Sequence, residues 1–456
     1  MGSDAKTIAA PDKRTWAIGQ PRQARESNVG FYLVIASLLF EFGRPQALIP
    51  GLKFIPFATG FDVLLILNVV MSGKLDLSRL QTKLWIPLLV VMAIHVPIAV
   101  NNFWALMTFK DILLTFGLYL GIVTYVNSLE KMLTLMKVWL GVLCFLAIMG
   151  ITSGGRGIGG WMGDENDFCM VMNMAVPFGY FLLFSASGIW QKMKYLGFLG
   201  AFILAAMATL SRGGFFGLAA AGIYCWYRSP KKLNALIVVI VVVLFMLMLA
   251  PATYWDEISS STSNDTMTLG TGGARLYTWG IGMDMFYSNP IIGVGQGNFP
   301  WTFGSYEHGQ SFNDKSFAGR AAHSAWVTLI SELGLAGIVI VGGMLLQCYK
   351  DLKFVRRKFT PPGSRQKHGQ IVQAGEDIRM YLARAMEGSI IGFIVSGIFI
   401  SIMWYPALWI MVAFVVALRN ISEMQSEGAL PAAAPTTHPW RGISLPRLGE
   451  RPISRL

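Results

Sequence analysis

The chain has 456 residues, of which 54% are hydrophobic and only 14% charged, and its mean hydropathy is +0.52. Soluble domains carry about 25% charged residues, so this balance excludes a soluble globular protein. The net charge of +12 does not point to nucleic acid, because the basic residues sit in short segments beside apolar runs, the distribution that orients helices in a membrane.

Residues 1–28 contain no apolar core and read as a cytoplasmic N-terminal tail rather than a cleaved leader. Residues 29–250 then predict nine transmembrane helices, near 29–42, 56–72, 84–100, 104–127, 132–151, 166–186, 195–210, 214–227 and 233–250. Helices are required because lipid offers no partner to exposed backbone groups. A large loop, residues 251–320, follows. Three further spans, near 321–347, 386–401 and 403–419, occupy residues 321–419, with a basic loop near 348–379. Residues 420–456 form a Pro- and Ala-rich tail. The fold expected is an all-α polytopic membrane protein of about twelve spans.

With the N-terminus inside, the predicted inner loops carry Lys74, Arg79 and Lys83, then Lys192 and Lys194, then Arg228, Lys231 and Lys232, then the run from Lys350 to Arg379. This asymmetry places both termini in the cytoplasm and the large loop outside. The polar segments "KFTPPGSRQKHGQIVQAGED" and the C-terminal tail read as disordered. Cys144, Cys169, Cys225 and Cys348 fall in apolar runs without metal-like spacing, as small packing residues do.

The outer loop is long enough to be functional. Within it "ARLYTWGIGMDMFYSNP" predicts an amphipathic helix at the membrane interface, with Leu276, Trp279, Met283 and Phe286 on one face. A glycine-rich turn, "GVGQGNF", follows. Four cationic groups gather on this outer side: Arg156 in "SGGRGIGG", Arg212 in "LSRGG", Arg275 at the start of the loop helix and His323 at the start of the tenth span. Cations at membrane depth are costly and need a reason, and a lipid-linked diphosphate is one. Guanidinium grips phosphate bidentately and stays charged. Adjacent glycines, Gly154, Gly155, Gly213 and Gly214, would let backbone approach such a ligand.

Each residue also has a plainer reading. Arg156 fits an interfacial anchor, and Arg275 a surface charge. His323 fits a hydrogen-bonding residue at a helix end. As a chemical group it would be neutral, because a helix N-terminus pushes its pKa down, and so could act as a base. Arg320, Asp167 and His308 are possible supporting residues. Asp164, Glu165 and Asp167 fit N-terminal caps. Glu332 lies roughly 13 Å along the helix from His323 and is expected to pair with a cation on a neighbouring helix. His95 is expected to hydrogen-bond between helices. Lys110 and Asp111 look like a buried pair.

The combination of "LSRGG", "ARLYTWGIGMDMFYSNPIIGVGQGNF" and "AAHSAWVTLISELGLAG", with "GDENDFCMVMNMAVP" before it, resembles the O-antigen ligase family across roughly Gly163 to Leu346. The resemblance implies a GT-C-like membrane glycosyltransferase in the bacterial inner membrane. It implies transfer of a glycan from an undecaprenyl diphosphate carrier to a lipid A-core acceptor on the periplasmic face, without metal or cofactor. It assigns functional roles to Arg212, Arg275 and His323. A polymerase or protein O-oligosaccharyltransferase of the same superfamily shares these motifs, and a lipid-linked glycan transporter is the rival from another class. The absence of internal repeats and the gathering of arginines on one face count against the transporter.

Overall fold

The computed structural model describes residues 28–49, 51–52, 54–229, 232–233, 236, 240, 244, 271–307, 316–360 and 377–424. Among them every regular element is helical. The helices are α1 (Val29–Leu38), α2 (Pro45–Leu48), α3 (Phe57–Ser72), α4 (Leu80–Ile98), α5 (Asn102–Tyr125), α6 (Leu129–Thr152) and α7 (Glu165–Ser185). They continue with α8 (Ile189–Ala208), α9 (Arg212–Arg228), α10 (Thr271–Ser288), α11 (Phe299–Tyr306), α12 (Ala325–Lys358), α13 (Ile378–Ser396) and α14 (Pro406–Met424).

Six helices, α4, α5, α6, α7, α12 and α14, are long and apolar enough to cross a membrane. Val29–Gly43 and Phe57–Ser72 are shorter apolar helices. Helices coincide with all the expected spans except 233–250, most of which lies outside the described residues. The segments expected to be disordered lie largely outside them too.

Polar caps set the helix starts. Asn101, Ser128, Asp164, Ser211, Ser324 and Asp377 each accept a backbone N–H from the first turn that follows, satisfying donors that no helix can pair internally. Helix α7 is buried at the centre, packed by α8, α9 and α13. Glycine makes this packing possible. A Cβ on Gly214 would lie 2.2 Å from the Cys169 sulfur, and one on Gly217 would lie 1.8 Å from Ser396 Oγ. Gly214 and Gly217 therefore bring α9 against α7 and α13, and Gly213 lies against Phe399. Gly155 likewise abuts the Ala208–Thr209 backbone. All four cysteines are free, and three are buried.

The glycine-rich turn inserts into the bundle at a break in α12. Gly334 has φ +58° and ψ −149°, which interrupts the helix and frees its backbone groups. The turn satisfies them. Leu335 and Ala336 N–H donate to Pro290 O and Ile291 O at 2.8 and 3.0 Å, while Val294 and Gly295 N–H donate to Ser331 O and Glu332 O at 3.0 and 2.9 Å. Irregular backbone at this depth persists only when protein meets its polar groups. Gln296 is fully buried and its amide donates to Met92 O and Ala105 O, tying the turn to α4 and α5.

Glu332 completes the insertion. Its carboxylate accepts the N–H of Gly297 at 2.8 Å, the N–H of Phe299 at 2.9 Å and the Trp404 indole N–H at 2.6 Å. The expected cation partner is replaced by backbone and indole donors, an alternative that only the inserted turn supplies. His95 packs against Gly295 of the same turn, not against a hydrogen-bonding group on another span. Lys110 and Asp111 pair at 3.2 Å but are exposed on the flank of α5 instead of buried.

Helix α10 turns one face into the protein, and it is a different face from the Leu276, Trp279, Met283 and Phe286 side expected at the membrane interface. Thr278, Ile281, Gly282 and Met285 are buried, whereas Leu276 is exposed. Ile281 and Met285 join Phe299, Phe303, Phe317 and Ala322 in a small core separate from that of the bundle. This core, with contacts from α10 to α12, fixes the loop helix against the start of α12.

Candidate functional site

The candidate residues lie at the end of the bundle where α7, α9 and α12 begin. Arg212 opens α9, with Ser211 as its N-cap. The Ser211 hydroxyl accepts the Gly214 N–H at 3.0 Å and donates to Asn166 Oδ1 at 2.7 Å, so the turn that holds Arg212 is tied to the start of α7. Leu210, just before it, is left-handed at φ +51°. Arg275 projects half-buried from the second turn of α10. Trp279, one turn on, donates its indole N–H to Ala322 O at 3.0 Å, beside His323.

His323 precedes α12 instead of forming part of it, in the left-handed region at φ +49°. Non-glycine residues seldom adopt this conformation, and such strain clusters at functional sites. Ser324, capping α12, and Trp279 hold it from both sides. Its pKa is pushed below the usual 6.5, first by loss of hydration among its neighbours and then by the positive charge of Arg275. Asp164 opposes that shift and Arg320 adds to it. The neutral form expected for His323 is thus favoured, although burial and a guanidinium carry the effect. Arg275 in turn has its pKa lowered by burial and by the charge of Arg212. Two guanidinium groups and an imidazole therefore share one electrostatic field, which disfavours positive charge and favours an anionic ligand.

The other candidates divide. Arg320 lies near enough to act on His323 and stacks its guanidinium over Phe317, 4.4 Å from the ring centroid. Arg156 sits at the edge, exposed, with Nε 3.2 Å from Glu165. Asp167 is buried and hydrogen-bonds the Tyr405 hydroxyl, so Asp164 and not Asp167 is the carboxylate that reaches His323. Asp164 also caps α7, as expected. His308 lies outside the described residues.

Arg44 extends the polar lip and was overlooked in the sequence. It follows a π-helical turn, Leu39–Gly43, and adopts φ +42°. Its guanidinium fills the space beside Gly160, where a Cβ would lie 1.3 Å from Nη1. Glu41 accepts the Trp161 indole N–H at 2.9 Å, and Trp161 packs on Tyr405 with ring centroids 5.5 Å apart. Tyr405, whose pKa is raised by burial and by Asp167 and Asp164, also feels the Arg44 charge. One signal was present: an arginine followed by proline at a predicted outer end, where basic residues are depleted.

No curated protein matches the chain. The family model described as O-antigen ligase matches residues 196–342. That stretch contains Arg212, Arg275, Arg320 and His323, which the fold assembles at one end of the bundle, and over it the chain is similar to the O-antigen ligase family.

Proposed function

We propose that this protein is an O-antigen ligase of GT-C-like, twelve-span architecture in the bacterial inner membrane. Both termini are cytoplasmic, and residues 251–320 form a periplasmic loop. The donor is a glycan on undecaprenyl diphosphate, and the acceptor is a sugar of the lipid A core. The observation that carries this reading is the coupling of Arg212, Arg275 and His323 in one field that calls for an anion.

Arg212 and Arg275 hold the diphosphate and stabilise the charge that grows on it as the anomeric C–O bond breaks. His323 takes the proton of the acceptor hydroxyl while that oxygen attacks the anomeric carbon, giving inversion in a single displacement. The electrostatics suit this order of events. Before the donor binds, Arg275 depresses the histidine's basicity and keeps it unprotonated. Bound diphosphate offsets that guanidinium, so His323 becomes a stronger base when it is needed. A contact from His323 to the leaving phosphate is the alternative role.

The test is transfer by the purified chain, given lipid-linked donor and acceptor lipid without an energy source. Product on the acceptor is expected. Glycan extended only on the donor lipid would make the protein a polymerase, and movement of donor across vesicles without product would make it a transporter.

A further inference from the structure

At the end of the bundle opposite His323, five cationic side chains surround a cavity of about 320 Å³: Arg228, Lys353, Arg356, Arg357 and Arg384. They come from three helices, α9, α12 and α13, that are distant in sequence. A second cavity of about 490 Å³ shares Lys353 and Arg357 as its wall. The only carboxylate holding this cluster among the described residues is Glu387, which is buried beneath it. Glu387 engages Arg356 at 2.8 Å and Arg228 at 3.7 Å, and accepts the Tyr224 hydroxyl at 2.7 Å.

Three other cations at this end are neutralised. Arg79 pairs with Glu423, Arg379 with Asp377, and Arg419 with Glu423 and Asp351. Lys353 and Arg357 carry no salt bridge among the described residues, and they sit one turn apart on α12, where like charges repel. A purely topological excess of positive charge does not require cations from three helices to converge on a cavity. An anion in that cavity would relieve the repulsion.

The face of α12 below the cavity is apolar and exposed. Val339, Leu346 and Tyr349 precede Lys353 and Arg357 at helical spacing, so one stripe runs from hydrocarbon-facing to phosphate-facing chemistry. We propose that this cavity is a binding site for the phosphate of an anionic phospholipid. Arg228, Lys353, Arg357 and Arg384 contact the phosphate, Glu387 positions Arg356 and Arg228 from beneath, and an acyl chain lies along Leu346 and Val339. The geometry matches basic pockets between helices that hold lipid headgroups. It is independent of the transfer reading and of its residues.

The experiment uses the full-length protein in uncharged detergent, with phosphatidylglycerol, phosphatidylcholine or inorganic phosphate added, and reads binding by calorimetry and thermal stability. Phosphatidylglycerol is expected to bind and stabilise, and the other two are not. Lys353→Gln with Arg357→Gln should weaken phosphatidylglycerol binding roughly twenty- to thirtyfold, given the usual contribution of a cation near an anionic headgroup. Neither residue has an ion pair among the described residues, and Lys353 loses only an exposed contact with the Tyr349 ring, so lipid-free stability should be nearly retained. Lys192→Gln with Lys194→Gln removes the same charge from exposed positions elsewhere on the same end and should leave binding intact. Equal weakening by both pairs would reduce the effect to diffuse surface charge and overturn the site. Unchanged binding in the first pair would overturn it too, and equal stabilisation by inorganic phosphate would overturn the lipid assignment.

Discussion

Glu332 and Phe299 meet across 2.9 Å, carboxylate to backbone N–H, and this bond joins α12, two residues before its break, to the start of α11. The carboxylate also receives Gly297 and Trp404, so it anchors the inserted turn at the break in the helix that His323 precedes. Glu332→Gln keeps the shape but turns an amide NH2 toward at least one of the three donors. A buried donor left without an acceptor costs about 1–3 kcal/mol. We expect lower thermal stability and faster hydrogen exchange in the 293–303 backbone. Wild-type exchange there would show that the anchor is dispensable.

Replacing His323 separates chemistry from architecture. At φ +49°, glycine relieves strain of about 1 kcal/mol while adding chain entropy that costs about 0.5–1 kcal/mol, so the two nearly cancel. His323→Gly should therefore melt close to wild type yet lose about 10²- to 10⁴-fold in transfer rate, as removal of a general base does. Near-normal transfer on a well-folded variant would remove His323 from the mechanism.

The pH dependence follows from the direction of the shift. A base must be unprotonated to act, and the His323 pKa lies below 6.5 in the free protein. Plotted against pH, kcat/KM should fall on the acid side with a midpoint below 6.5. With the proposed diphosphate donor bound, its charge would offset Arg275, and the acid limb of kcat should lie at higher pH. Arg275→Gln removes a charge that lowers this pKa, so the kcat/KM limb should move to higher pH while donor binding weakens. A limb that stays in place would mean that another group titrates.

Close helix packing predicts a purely structural effect at Gly214. A leucine there must displace Cys169 and part α9 from α7, and overpacking costs typically about 1–3 kcal/mol. Gly214→Leu should lower thermal stability. Cys169→Ala in the same chain should recover part of the loss by making room. If the second change recovers nothing, the two sites are not in contact.

Membrane class, helix positions and the gathering of Arg212, Arg275 and His323 at one end were legible in the sequence. Each follows from local rules: apolar length, charge beside the spans, and the need of every backbone group in lipid to pair within its own helix. What escaped depends on segments far apart in the chain. The partner of Glu332 could not be read, because its donors lie on a turn that reaches it only through the break at Gly334. The close neighbours of the "LSRGG" glycines, Phe399 and Cys169, could not be read from the sequence, and the buried face of α10 was chosen by the core it joins. Arg44 and Asp164 became part of the site only when α1, α7 and the Trp404–Tyr405 turn met. The sequence by itself determined where most of the chain would be helical and that Arg212, Arg275 and His323 share one end, because hydropathy and charge act residue by residue. Tertiary structure alone decided which carboxylate faces the histidine and which pins the turn, because electrostatic reach and hydrogen bonding act through space.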